Sequence, residues 1–419
     1  MLPNDSCMHG AQLKIVYLIP NCSVSGGIAV ICQHANRLLA RGHDVYLVVE
    51  TLNTIIDWFP DQRVPIVTLN DYPDNVDILV ATAWMTSFRV VRLPAKQRFY
   101  FVQSDETRFH SPDGVWHHLT ALSYLLDVNY FTEAKWIQRW LLQSFGHQSQ
   151  LVPNGLDPKL FHECTPLSPK GKKTRILLEG AIGLPYKGMK EAFEAVSQLD
   201  VEVWCVSSYG KPYPDWKCDR FFEQVPMTKM KEIYSSCDIL LKLSRVEGFF
   251  GPPMEMMACG GAVVVGRVTG YDEYIIDEYN ALVVDATDVL AATMALKRLM
   301  ADKSLYTKLI ENGKKTAQNW SWNKSIQDLE QYYQRSLVDL SNDTRCQQEY
   351  ITDINKSISH LYFMIKGEAE DIGNDKNNNY IKDLMLNEHT ERVCRKLKTN
   401  SLFRFLSRLI VKIHSLIKH

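Results

Sequence analysis

The 419-residue sequence predicts an α/β protein whose two parallel-sheet halves face each other across a cleft. Three observations predict it. Near-continuous apolar runs of strand length alternate with segments whose apolar residues recur at helical spacing, the pattern of a parallel sheet covered on both faces. That alternation restarts after a Pro/Lys-rich stretch, Thr165 to Lys173. One window, Glu247-Gly248-Phe249-Phe250-Gly251-Pro252-Pro253-Met254-Glu255, sets two carboxylates eight positions apart around a helix start.

In the first half, Lys14 to Ile19 reads as a strand and Pro20 to Gly27 as a turn-rich loop. Ile28 to Arg41 follows as a helix, with Ile28, Ile31, Ala35, Leu38 and Leu39 along one face. Gly42 stands where a helix C′ glycine belongs. Asp44 to Val49, Ile78 to Thr82 and Arg98 to Gln103 are further strands. In the second half Thr174 to Glu179 is a strand, Gly180 to Gly188 a loop and Lys190 to Leu199 a helix. Val201 to Ser207, Ile239 to Leu243 and Ala262 to Val265 complete the expected strands. Two such halves, 1–160 and 161–320, would leave a cleft at the carboxyl ends of both sheets, where ligands of open α/β folds bind.

In the Glu247 window, proline is tolerated in a first helical turn, where its missing N–H has no intrahelical partner. The free N–H groups and positive dipole end of such a helix suit an anion such as a diphosphate. Glu247 is expected before the helix and Glu255 inside its first turn. The stop at Ala258-Cys259-Gly260 completes the register.

Composition allows an enzyme and narrows its class. At 46% hydrophobic the chain can fill two cores, and a formal net charge of −1 argues against a general nucleic-acid binder. The ten cysteines are scattered without a C-x-x-C pair, against a disulfide framework or zinc site and in favour of a reducing cytosol. The first apolar run, Leu13 to Pro20, carries Lys14 and is too short for a signal segment or a membrane span.

Four further places carry chemistry, each with a plainer reading beside it. Ser25-Gly26-Gly27 follows the first strand and lets backbone approach a phosphate or sugar, or is a tight turn. Val152-Pro153-Asn154-Gly155-Leu156-Asp157 contains a common turn pair. Lys187 is a cation in a loop after a strand, or a surface lysine. Gln103, Glu106 and Arg108 crowd the end of another strand and are acceptor-side candidates with Asn154, or belong to a solvated loop.

Together these residues resemble the retaining glycosyltransferases of the GT-B fold, specifically glycosyltransferase family 4, over about residues 12–335. The most specific match is Glu247-Gly248-Phe249 through Glu255-Met256-Met257-Ala258-Cys259-Gly260, the family's E-x7-E signature. Gly26-Gly27, Arg41-Gly42-His43-Asp44-Val45, Asn154-Gly155, Lys187-Gly188 and Trp322 match in order. The resemblance implies two Rossmann-like domains. The first is acceptor-side, the second binds the nucleotide sugar, and a helix over 321–340 crosses back to the first.

It also implies roles. Glu255 would hold the ribose hydroxyls of a nucleotide sugar. Glu247 would face the donor sugar, beside backbone N–H groups of Gly248, Phe249 and Phe250. Lys187 would pair with the diphosphate, helped by Gly26-Gly27 and the helix beginning near Pro252. The base would lie near Val206 to Tyr209 and Val225-Pro226. A fixed lysine and helix dipole stabilise the leaving diphosphate as charge develops on it. With no D-x-D-type motif placed for a metal, the expectation is neither metal nor cofactor. Front-face attack with Glu247 as electrostatic partner is the mechanism implied, with a covalent glycosyl-glutamate as the alternative.

Two departures stand out. Where many relatives carry Gly-Arg, a second diphosphate contact, this chain has Glu179-Gly180-Ala181, leaving Lys187 alone or with Arg245 or Lys242 in that part. Gln103 stands where many carry histidine, and cannot transfer a proton as histidine does. The Phe101-Val102-Gln103 stretch is similar to a subgroup that includes bacterial surface-glycan rhamnosyltransferases.

Residues 341–419 lie outside the resemblance and read as a polar linker and a basic amphipathic extension. From Arg392 onward there is no acid, and Leu402, Phe405, Leu409, Ile413 and Leu416 form an apolar stripe. Such a helix binds an anionic membrane surface, or packs on protein. The implied partners are a nucleotide-sugar donor and a glycan or lipid-linked acceptor, in the cytoplasm or on the inner face of the membrane. Competing classes are a GT-B epimerase, a silent sugar-nucleotide-binding subunit, and a dehydrogenase with Glu50 as its ribose acid. The last lacks G-x-G-x-x-G and leaves the Glu247 window idle.

Overall fold

The computed structural model describes residues 11–50, 55–339 and 345–372. The described residues form two parallel sheets. The first holds β1 (Lys14–Ile19), β2 (Asp44–Val49), β3 (Ile66–Thr68), β4 (Ile78–Ala81), β5 (Gln97–Val102), β6 (Asn129–Thr132) and β7 (Ser149–Leu151), in the order β3-β2-β1-β4-β5-β6-β7. The second holds β8 (Arg175–Glu179), β9 (Glu202–Ser207), β10 (Arg220–Glu223), β11 (Ile239–Lys242), β12 (Ala262–Gly266) and β13 (Leu282–Val284), in the order β10-β9-β8-β11-β12-β13. Burial of both sheet faces explains the sequence pattern. Every residue of β4 and β11 is buried, so neither strand alternates apolar with polar.

Strand order reverses between β1 and β4 in one sheet and between β8 and β11 in the other. Loops that leave the carboxyl ends of strands at a reversal diverge and open a crevice. Gly26-Gly27 follows β1, Lys187 follows β8 and Glu247 follows β11, so three expected site segments lie at these two reversals.

The helix Trp322–Asp339 returns to the first sheet and buries Trp322, Ile326, Leu329 and Tyr333 in its core. Tyr333 and Tyr17 share a hydrogen bond of 3.1 Å between hydroxyls, and Arg37 lies 5.8 Å over the Trp322 ring. Gly155 sits at the crossing. A Cβ there would stand 2.3 Å from the Trp322 nitrogen, so the Asn154-Gly155 pair packs the crossing as well as turning the chain.

The stretch expected as a polar linker is helical over Arg345–Ile372. Its apolar residues explain why. Tyr362 stacks on Phe88 with ring centroids 4.0 Å apart, and Ile358 is buried in the same cluster. Asn355 exchanges hydrogen bonds with the backbone of Asp127, accepting at 2.9 Å and donating at 2.8 Å. The basic amphipathic stretch 392–419 lies outside the described residues. No helix among the described residues is long and apolar enough to cross a membrane.

Candidate active site

The helix Gly251–Ala258 begins one residue before the two prolines, which places Glu255 in its second turn rather than its first. The expected free N–H groups at its start are absent. Pro252 and Pro253 have none, Gly251 donates to the Phe249 carbonyl at 3.0 Å, and the Met254 N–H meets the Tyr274 hydroxyl. Positions 251–254 therefore offer an anion the helix dipole and no free donor.

Lys187 ends a short turn, Pro185–Lys187, capped by Gly188 at φ +64°. A Cβ at Gly188 would stand 2.0 Å from the Leu243 carbonyl, so glycine alone lets this loop lie on the end of β11. The fit delivers the Lys187 ammonium to both oxygens of Glu247 at 2.9 Å. An ammonium has three donors, so one remains for a further anion.

A second cation lies beneath. Lys242, only 3% exposed at the end of β11, binds the Glu179 carboxylate and carbonyl and lies 3.9 Å from Glu247. Burial by itself would raise the Glu247 carboxyl, but Lys187 and Lys242 overcome that and hold it below the ordinary carboxylate range. Glu247 is therefore ionised throughout the neutral range. Arg245 is committed elsewhere. It pairs with Glu191 at 2.7 Å and with the Pro185 carbonyl, bracing the Lys187 loop rather than replacing the missing arginine.

Glu255 faces inward from its helix and accepts a 2.9 Å bond from the Tyr234 hydroxyl. Burial raises its carboxyl to about 7, with Glu179 adding to the rise and Tyr234 and Lys242 opposing it. The two carboxylates of the window thus have different characters, one fixed as an anion and one titrating near neutrality. Val225 packs beside the core of the second sheet and Pro226 opens the helix Met227–Ser236, both past the carboxyl end of β10.

The first domain meets the Glu247 loop directly. Phe249 N–H donates to Glu133 at 2.9 Å, and the Trp136 indole N–H donates to the Gly248 carbonyl at 2.9 Å. A Cβ on Gly248 would stand 1.7 Å from the Gln103 carbonyl. Gln103 also lies against Gly27, 3.3 Å from where a Cβ would be, and donates to the Thr82 carbonyl at 3.3 Å. Arg108 spans the cleft to the Arg245 carbonyl at 3.1 Å and the Thr269 hydroxyl at 3.0 Å. Asn154 donates to Glu133 at 2.8 Å.

Glu106 departs from its acceptor-side expectation. Its carboxylate turns inward, accepting from the Trp84 N–H at 2.8 Å and the Tyr100 hydroxyl at 2.9 Å, and so caps the helix Trp84–Val90. Glu50, the acid of the dehydrogenase reading, is paired with Arg89. Sequence reasoning passed over Glu133, Trp136 and Tyr234. The first two were findable, because Thr132-Glu133-Ala134 ends an aromatic strand and the carboxyl end of a strand is where such folds place chemistry. Among the described residues, no cluster of three His, Cys, Asp or Glu side chains is placed to hold a metal ion.

Residues 219–316 match the family model of glycosyl transferases group 1, a span that includes Glu247 and Glu255. The whole fold is similar to sucrose-phosphate synthase from Thermosynechococcus elongatus. That likeness has a TM-score of 0.64 at 15% identity, covering 78% of this chain and 100% of that one. It is similar also to Anabaena HepE in complex with UDP and glucose, at a TM-score of 0.63 and 14% identity over 77% of this chain and 100% of that one. The fold is GT-B.

Sequence relatives point the same way. An uncharacterized glycosyltransferase of Methanocaldococcus jannaschii is 26% identical over 212 residues, 48% of this chain and 58% of the relative. The O-antigen biosynthesis protein RfbC of Myxococcus xanthus is 24% identical over 261 residues, 60% of this chain and 20% of that protein. The chain thus spans less than two thirds of the length of these curated relatives. Within the GT-B cleft, Lys187, Glu247 and Glu255 come from the second domain, and Gly26-Gly27, Gln103, Arg108, Glu133 and Asn154 come from the first.

Proposed function

We propose that this protein is a retaining glycosyltransferase of family 4. It would move a hexose or deoxyhexose from a nucleotide-diphosphate sugar to a glycan or lipid-linked glycan in cell-surface polysaccharide synthesis. The observation that carries the reading is the bidentate Lys187–Glu247 pair at the strand-order reversal, just before the helix that carries Glu255. In this reading Glu255 holds the ribose, and the third Lys187 donor meets the diphosphate as its charge grows in the transition state. Glu247, kept ionised, faces the anomeric centre as positive charge develops there. The Gly26-Gly27 end of the helix Gly26–Ala40, where a Cβ on Gly26 would meet nothing within 4 Å, gives a phosphate room to approach backbone.

The Phe101-Val102-Gln103 stretch and the Arg245-Val246-Glu247-Gly248-Phe249-Phe250 run support a deoxythymidine-diphosphate-rhamnose donor. The acceptor would be confined at a membrane surface reached through 392–419. The test is release of nucleoside diphosphate from a nucleotide-sugar panel with and without glycan and lipid-linked acceptors. The expected result is acceptor-dependent release and a product whose anomeric configuration, read by NMR, matches the donor. Release or sugar interconversion without any acceptor would instead favour an epimerase.

A further inference from the structure

Glu133 follows β6 on the first domain, yet its carboxylate reaches the second. One oxygen accepts the Phe249 N–H at 2.9 Å, and the other accepts the Asn154 side-chain amide at 2.8 Å. The same oxygen that meets Phe249 lies 2.8 Å from where a Gly248 Cβ would stand. Three residues on, the Trp136 indole takes the Gly248 carbonyl. The amide N–H and carbonyl of one peptide run, Gly248-Phe249, are thus both held by a four-residue segment of the opposite domain. That run is the residue pair immediately after Glu247.

We propose that Glu133 is a positioning residue of the transfer reaction, seating the Gly248-Phe249 peptide against the first domain and so fixing the Glu247 carboxylate over the reacting sugar. The inference rests on the glycosyltransferase reading above. Two independent features of the site agree with it. Gly248 has room for no side chain, because a Cβ would meet the Gln103 carbonyl at 1.7 Å as well as Glu133. Asn154 Oδ1 is buried and meets no donor, although its amide nitrogen is bonded to Glu133. A proton on Glu133 would supply that donor once the Asn154 amide turns over.

Charge explains why such a proton stays. Burial raises the Glu133 carboxyl to about 8, and the ionised Glu247 adds to the rise, against hydrogen bonds from Asn154 and Phe249 that favour the anion. The groups bonded to Glu133 are the Phe249 amide and the Asn154 side-chain amide, both neutral; the charge that acts on it is that of Glu247, and Glu273, across the interface, is engaged by the Trp136 N–H. Lys187 and Lys242 lie beyond Glu247 and are paired with it. Below about pH 8 the Glu133 acid bridges Asn154 and Phe249 beside an anionic Glu247. Above it a second negative charge appears next to Glu247 and loosens the seat.

The full-length chain and its Glu133→Gln and Glu133→Ala variants test this by two readouts. In ligand-free protein, hydrogen exchange at the Phe249 amide should quicken at least about ten-fold in Glu133→Ala and recover in Glu133→Gln, whose carbonyl still accepts that bond. In steady-state transfer, wild-type kcat should fall as pH rises through about 8. Glu133→Gln should lack that alkaline fall and should recover most of the kcat lost in Glu133→Ala. Unchanged Phe249 exchange in Glu133→Ala, or an alkaline fall that persists in Glu133→Gln, would overturn the proposal. If Glu133→Ala does not fold, the Glu133→Gln pH profile alone decides. A wild-type protein that transfers no sugar would refute the glycosyltransferase reading instead, while Phe249 exchange would still judge the clamp.

Discussion

Replacing Glu247 by alanine should slow transfer about 10²–10³-fold while leaving nucleoside diphosphate affinity nearly intact. The reason lies in what each carboxylate of the window touches. Glu247 is gripped by Lys187, with Lys242 close behind, and is held ionised by them; in the proposed reading it faces the reacting sugar. Its loss removes negative charge from the transition state and releases Lys187 toward the diphosphate, so binding does not suffer. Glu255→Ala should show the opposite pattern, with weakened nucleotide binding and smaller effects on turnover of the bound complex. Wild-type nucleotide affinity should also drop as pH falls through about 7, because protonated Glu255 loses an acceptor for the ribose hydroxyls. Isothermal titration and single-turnover kinetics on the two variants separate these effects. Equal loss of binding in both, with unchanged turnover per bound complex, contradicts the division of roles.

Gly248→Ala should cost about 10²-fold in kcat/KM with little loss of thermal stability. A methyl at this position cannot coexist with the Gln103 carbonyl 1.7 Å away, and that atom is backbone at the end of β5. The domains must part, which moves Glu247 away from the first domain, where the proposed reading places the acceptor. Gly171→Ala is the control, since a Cβ there meets nothing within 4 Å. Steady-state kinetics and melting curves of both variants check this. A Gly248→Ala enzyme with wild-type kcat/KM would show that contact across the cleft is irrelevant to the reaction.

Much of this was legible in the chain because burial leaves a strong trace. β1, β2, β4, β8, β9, β11 and β12 are apolar for nearly their whole length, and their sequence limits fell within two residues of the structure. β3 and β7 were missed because they are three residues long and half-buried at the sheet edge. β10 reads Arg-Phe-Phe-Glu, with both ends exposed and only two half-buried apolar residues between them, too short a run to read as a strand. The helix Arg345–Ile372 was missed for a different reason. Its buried contacts, Ile358 and Tyr362, are sparse among polar residues, and their partners in the cluster, Trp84, Phe88, Leu119 and Leu122 among them, lie far away in sequence.

The candidate site divides along the same line. Glu247, Glu255 and Lys187 were legible because glycines and prolines at fixed offsets mark the loops that carry them. Their mutual geometry was not. That Lys187 would grip Glu247 and that Arg245 would brace a loop depend on contacts between residues more than fifty positions apart, and Glu106 turns inward only because Tyr100 and Trp84 come to meet it. Glu133 shows the limit most plainly. It reads as one acid after a strand, and gains meaning only because Phe249, 116 positions away, comes to rest on it.

On the proposed reading, the loops that carry Lys187, Glu247 and Glu255 take a nucleotide-diphosphate sugar. The most direct measurement is thermal stabilisation of the full chain by a panel of nucleoside diphosphates and nucleotide sugars, since a ligand that binds only the native state raises its stability by mass action. The expected result is a clear upward shift with one nucleotide class, kept in Glu247→Ala and lost or reduced in Glu255→Ala. No shift with any nucleotide at millimolar concentration would contradict it.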